Sequence, residues 1–283
     1  MKLPTFLLVA LLTTAVTSNV PAQYVPPASA GLQLYSFRNQ FKADLPGTLL
    51  KVKQMGFREV EVAGTYDLSP AAFRQELDKN SLKAVSMGAS FEDLESNVPK
   101  IVNQAKALGV KYVTCAWIPH TADLFTTGDA DRAIDVFNTA GRLLAENKLI
   151  FCYHTHGFEF QKMPDGTTYF NYLAQNLDPK LVNFEMDVFW IKSPGEDPVK
   201  LLQQYPKRFL LAHLKDRKPG TPNTLTGRAD VESNVVLGEG DVGIAAFMQV
   251  AKKAGVKHFF IEDESSRSLE QVPKSLAFLR SLK

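Results

Sequence analysis

Eight short apolar runs, rich in branched and aromatic residues, recur along this chain of 283 residues. They are Gly31–Phe37, Arg58–Ala63, Leu82–Met87, Tyr112–Ile118, Leu149–His156, Val182–Trp190, Phe209–Lys215 and His258–Glu262. Runs of this kind read as buried strands. Between them the apolar residues repeat every three or four positions, the spacing of one helix face. Ile101, Ala105 and Leu108 mark one such stretch, and Ile244, Phe247, Val250 and Ala251 another. Gly56, Gly109 and Gly255 each follow a helical stretch and lead into a strand, as a left-handed helix stop does. Ser69-Pro70 and Asp197-Pro198 place a capping side chain before a proline at a helix start. Eight strand–helix units in a chain of this length predict an α/β protein, a closed (β/α)8 TIM barrel. An open doubly wound sheet is the alternative. Such a sheet often carries a glycine-rich phosphate loop after its first strand, and this chain has none there.

The first residues read differently. Met1-Lys2, an apolar run from Leu3 to Val16 and then Val20-Pro21-Ala22 have the layout of a secretory signal peptide. The run is too short to span a bilayer. We expect residues 1–22 to be a leader cleaved after Ala22, with Ala28-Ser29-Ala30 as a second choice. Residues 23–283 are then one domain in the periplasm or outside the cell. A formal charge of +2, read as evenly spread, argues against a nucleic-acid partner. Cys115 and Cys152 lie inside apolar runs and read as buried free thiols. The long connection 216–240 is rich in Gly, Pro, Thr and Asn, which marks it as functional or mobile.

In a barrel of this type the active site lies where the strands end. Four consecutive strands end in carboxylates or imidazoles: Tyr153-His154-Thr155-His156-Gly157-Phe158-Glu159, Met186-Asp187, His213-Leu214-Lys215-Asp216 and Ile261-Glu262-Asp263-Glu264. Neighbouring parallel strands lie about 4.8 Å apart, so these groups can converge on one ion. Two or three carboxylates with a histidine suit Mn, Mg, Co or Zn. Any one of these residues is more often structural, and Lys215 and Arg217 could balance the carboxylates without a metal. Residues two apart share a face, which groups His154 with His156, Glu185 with Asp187, His213 with Lys215 and Glu262 with Glu264. Glu159 lies past the strand, where parity cannot place it.

At these segments, and at Gly31-Leu32-Gln33-Leu34-Tyr35-Ser36-Phe37-Arg38, Gly56-Phe57-Arg58-Glu59-Val60-Glu61 and Leu237-Gly238-Glu239-Gly240-Asp241, the chain resembles the sugar phosphate isomerase/epimerase family of xylose isomerase-like TIM barrels. The likeness runs over nearly the whole of 23–283. It implies one divalent metal held by Asp187, His213 and Glu262, with Glu159 as the fourth ligand or a base. Many members have a Glu inside the fifth strand, where this chain has Tyr153 and His154, so His154 is the substitute ligand. The resemblance further implies catalytic roles for Glu159, Glu262, His156 and Lys215. It implies substrate contacts from His154, Trp190, Arg228 and Glu239, with Phe37 and Trp117 as apolar wall.

The reaction it implies is isomerisation or epimerisation of a keto-sugar or related carbohydrate through an enediolate, with Glu159 or Glu262 taking the proton. A lyase or dehydratase acting on a keto-glycoside or polyol is the alternative, and a non-catalytic carbohydrate-binding barrel a third reading. A multi-metal nuclease would need more histidines and a basic groove. Homodimerisation is compatible with all of these.

Overall fold

The computed structural model describes residues 30–282, so the expected leader lies outside the described residues. Eight parallel strands form a closed barrel. They are β1 (Gly31–Gln33), β2 (Glu59–Val62), β3 (Lys83–Gly88), β4 (Tyr112–Cys115), β5 (Ile150–His154), β6 (Val182–Asp187), β7 (Phe209–Leu214) and β8 (His258–Ile261). β1 closes the ring by pairing with both β8 and β2. All eight predicted strands are present. β1, β4 and β6 each end at least three residues before their apolar runs do. Gln33 turns its side chain back to accept from Tyr35 N, and Leu34–Phe37 becomes a 3-10 turn. Asp187 caps a helix at Val188–Lys192 in the same way.

Helices pack outside the barrel, and their periodic faces supply the main core, which includes Leu49, Ile101, Phe137 and Phe247. Their stops follow the sequence signals. Gly56, Gly109 and Gly255 are all left-handed, and Ser69 and Asp197 each cap a helix that begins with proline.

A second, smaller cluster joins Val85, Tyr112, Cys152, Leu211 and Phe260, from five different strands. It fills the barrel interior. Gly31 is required beside it, because a Cβ there would stand 2.6 Å from the Phe260 ring. Moving two residues toward the strand ends keeps the inward face. Those steps lead from Gly31 to Gln33, Cys152 to His154, Leu211 to His213 and Phe260 to Glu262. An apolar layer is thus covered by a polar one. Both cysteines are free and buried, and burial pushes the Cys115 thiol up to about 12. The connection 216–240 is partly ordered by an antiparallel ribbon of Asp216–Arg217 with Asn234–Val235. No helix of the described residues is long and apolar enough to cross a membrane.

Candidate functional site

The polar layer opens into a cavity of about 470 Å³ at the C-terminal end of the barrel. Gln33, Glu61, His154, Glu185, His213 and Glu262 line its floor and sides, with Tyr35, His156, Trp190 and Glu264 nearer the mouth. The volume is in the range of small-molecule sites.

Hydrogen bonds fix the imidazoles from behind. His154 Nδ1 is 2.9 Å from Glu185 Oε2. With the proton on that bond, the Nε2 lone pair faces Asp187 Oδ2 at 3.9 Å. Asp187 spends its other oxygen, Oδ1, accepting from Phe189 N at 2.9 Å and Trp190 N at 3.3 Å. The sequence therefore folds into a helix at Val188 because Asp187 caps it, and that cap aims Oδ2 inward. His213 Nε2 is 2.7 Å from Glu61 Oε1, and its Nδ1 is 3.3 Å from Glu262 Oε2. Glu61 is itself held by Gln33 Nε2 at 2.6 Å and by the Ser86 hydroxyl.

Two atoms in this layer are buried without a hydrogen-bond partner: Asp187 Oδ2 and Glu185 Oε1. Unpaired buried acceptors are costly, so native structures pair nearly all of them. Two groups have ligand atoms within 4.8 Å of one another: His154, Asp187 and His213, and Glu61, Glu185 and His213. His154 Nε2 faces Asp187 and His213 Nδ1 faces Glu262, each imidazole oriented from its other nitrogen by a second carboxylate, which makes a donor set for a divalent ion. The residues present fit the metal. Lys215 supplies one counter-charge. Its Nζ is 3.4 Å from Glu262 Oε2 and 4.0 Å from Asp187 Oδ2, and it also meets Glu264. Arg217 does not contribute, being committed to Asp241 at 2.9 Å and to Asn223. Lys215 thus meets Asp187, Glu262 and Glu264, while Glu61 and Glu185 face the imidazole of His213.

The charges push one another strongly. Burial raises the Asp187 carboxyl to about 7, against the pull of Lys215. Burial, then the facing Glu61, raises Glu185 well above the carboxylate range. Burial also works on Glu262, but Lys215 and His213 overcome it and hold its carboxyl well down. Burial, with His213 adding to it, keeps His154 neutral, well below the ordinary imidazole range. In His213 burial is overcome by Glu185, Glu61 and Glu262, which raise it well above that range. Burial and then Lys215 lower His156 to about 3.

The residues picked from sequence divide into two sets. Asp187, His213, Glu262 and His154 meet in one cluster, with Lys215 behind Glu262. His156 and Trp190 stack with ring centroids 4.4 Å apart and form part of the wall. That stack needs Gly157 at φ +94, where a Cβ would stand 3.0 Å from Trp190 O. Glu159 does not join the cluster, contrary to the expectation. It is fully buried, bonded to the Tyr153 hydroxyl and, at 2.9 Å, to His156 N, and it does not line the cavity. Its carboxylate holds the loop that carries His156. Arg228 is exposed, 3.7 Å from Asp123, and Glu239 is exposed; both lie away from the cavity lining. Phe37 is buried in the helix-side core, while Trp117 packs 5.3 Å from His156. Glu61, Glu185, Gln33 and Ser86 join the site without being among the residues expected from sequence. The signal for two of them was present: Glu61 alternates with Glu59 and Glu185 with Asp187, on the faces that turn inward.

The xylose isomerase-like TIM barrel family matches residues 49–282. An inosose dehydratase of Geobacillus kaustophilus (strain HTA426) is 24% identical over 222 residues, 68% of this chain and 70% of that protein. A sugar phosphate isomerase/epimerase from Parabacteroides distasonis ATCC 8503 superposes with a TM-score of 0.76 at 23% identity, covering 93% of this chain and all of that one (100%). The IOLI protein with a bound zinc atom superposes with a TM-score of 0.69 at 14% identity, covering 89% and 96%. With more than half its length matched, the chain belongs to the xylose isomerase-like TIM barrel family.

Proposed function

We propose that this chain is a metal-dependent isomerase or epimerase that removes a proton beside the carbonyl of a keto-sugar or related carbohydrate. The observation that carries this reading is the buried, unpaired carboxylate oxygen Asp187 Oδ2, facing the His154 and His213 imidazoles in the buried layer. His154, Asp187, His213 and Glu262 would hold the ion, its identity being one of Mn, Mg, Co or Zn. A divalent ion there supplies Lewis-acid stabilisation of the charge that develops on oxygen as the C–H is lost. Glu185 and Glu61 fix the protons of His154 and His213 on the sides away from it. Glu262 lines the cavity and is held ionised by Lys215, which suits it to take the proton. Trp190, stacked on His156, gives the sugar an apolar wall and keeps water from the face it covers. With a leader at 1–22, the substrate would be a carbohydrate met outside the cytoplasm.

A second reading, a dehydratase or lyase, shares the first step. The curated relatives favour it, being inosose dehydratases. His154, standing where many family members have a carboxylate, favours it too. Epimerisation by proton transfer on two faces asks for a second base, whereas elimination asks for one base and one acid.

The test is incubation of metal-loaded protein in D2O with a panel of keto-sugars and inososes. Mass spectrometry would show one deuterium gained at constant carbon skeleton for isomerisation or epimerisation. A product lighter by one water would show the dehydratase. Exchange that stops on chelation and returns with metal supports the shared step. No exchange with any of them, alongside tight binding of one, would leave a binding barrel instead.

A further inference from the structure

The opposite end of the barrel has a different chemistry. The seven connections from helix to strand (56–59, 79–83, 106–111, 146–150, 178–183, 204–209, 252–258) contain twelve Lys or Arg and three Asp or Glu. The whole chain is only +2, so the remainder is acidic on balance. The charge is not evenly spread, contrary to the expectation from sequence; the fold gathers it at one end. Every connection presents one exposed cation just before or at its strand: Arg58, Lys83, Lys111, Lys148, Lys180, Lys207 and Lys257.

Helix C-termini lie at this end and favour cations, which explains part of the ring. Lys111 donates to Lys148 O at 3.0 Å, and Arg208 to Ala174 O at 3.1 Å. Lys148, Lys180, Lys207 and Lys257 make no side-chain hydrogen bond or ion pair within the described residues. Two of these, Lys148 (φ +62) and Lys207 (φ +65), occupy left-handed backbone positions. Sister turns fill the same kind of position with Gly56, Gly109 and Gly255, and one with Ser81 (φ +54). A lysine kept where glycine is the unstrained choice points to a use for its side chain. Between Lys111, Lys148 and Lys180 lies a groove of about 320 Å³ with Ile150, Leu181 and Leu210 in its walls.

We propose that this end of the barrel is a docking face for a bilayer bearing anionic headgroups. The protein would lie on the membrane peripherally, with the cavity directed away from it toward soluble carbohydrate. The lysine ring supplies the attraction and the groove takes apolar contact from the interface. This inference rests on the charge distribution and stands whether or not the proposed reaction is right.

The test is co-sedimentation of the full chain with phosphatidylcholine vesicles, alone or mixed with phosphatidylglycerol. We expect binding only to the anionic vesicles, weakening as salt rises from about 50 to about 500 mM. The variant K148Q/K180Q/K207Q/K257Q should bind at least about tenfold more weakly, since each lysine near such a surface is worth about fivefold. The variant K42Q/K162Q/K218Q, on the other rim, should bind as the parent does. Unchanged unfolding midpoints show that both variants fold. Equal binding to neutral vesicles, or an unchanged first variant, would mean that the lysine ring does not drive attachment and would overturn the proposal. So would absence of vesicle binding, or equally tight binding to soluble heparin, which would make the face a general polyanion site.

Discussion

The two ends of the barrel interior are built from the same strands and behave oppositely. Toward the N-terminal end, Tyr112, Cys152, Leu211 and Phe260 pack as an apolar plug, with Glu59 and His258 paired at 2.9 Å beneath it. Two residues further along each strand, the interior becomes His154, His213, Glu262 and their carboxylate partners, with buried acceptors left unpaired. The first layer is what a fold needs for stability. The second is what no fold would assemble for stability, because unpaired buried charge is costly. A sharp boundary, one strand-step wide, therefore separates the part of the barrel that holds it closed from the part that acts.

Substitutions on either side of that boundary should have separable effects. The largest is expected at Asp187→Ala, which removes an inward carboxylate. Turnover and bound metal should fall by at least about a thousandfold and about a hundredfold respectively, on the scale of losing a charge-stabilising group and a metal ligand. Thermal unfolding in chelator should change by no more than the lost helix cap is worth, about 1 kcal/mol. A large loss of stability without loss of metal would place Asp187 on the structural side.

Next comes Phe260→Ala in the plug, costing about 3–5 kcal/mol by denaturant unfolding. Metal affinity of the folded fraction should be retained. Loss of metal before loss of fold would show that the two layers are coupled.

Smaller is the effect of Glu61→Gln or Glu185→Gln, which disturbs an imidazole from behind. Metal affinity should fall by about 10–100-fold, read by competition with a chelating dye, while Lys215 and Glu262 stay in place. No change would remove these carboxylates from the account.

The smallest effect is expected at the foot of the plug. The hydrogen bond from His258 holds the Glu59 carboxyl below its usual range, against partial burial. A depressed carboxyl stabilises above its unfolded value, about 4.3, and loses that contribution as pH falls through its lower folded value. Glu59→Gln should therefore lower the unfolding midpoint slightly at pH 7, by less than about 1 kcal/mol, and not at all near pH 2. A difference that persists in acid would rule out the hydrogen bond to the ionised Glu59 carboxylate as its source.

The division also explains what was legible in the sequence. Strands were legible because both barrel faces are apolar over most of their length. Their ends were overrun at Leu34–Phe37 and Val188–Lys192, where the residues remain apolar. There Gln33 and Asp187, by capping, turn the chain helical. Asp187, His213 and Glu262 were legible because strand ends converge in a closed barrel. For Glu61 and Glu185 alternation gives the inward face but not a role, since a buried carboxylate has none until its partners are seen across the barrel. Glu159 follows a glycine at φ +94, so its direction could not be counted along the strand. Arg228 and Glu239 sit on the long connection, whose path no periodicity sets.

The central claim is that the layer above the plug binds one divalent ion through His154, Asp187, His213 and Glu262. Isothermal titration of chelator-treated protein with Mn, Mg, Co and Zn, repeated on Asp187→Ala, tests it directly. The account predicts one ion per chain for at least one of these metals, and loss of that binding in the variant. Absence of binding for all four, or binding that Asp187→Ala leaves intact, would contradict it.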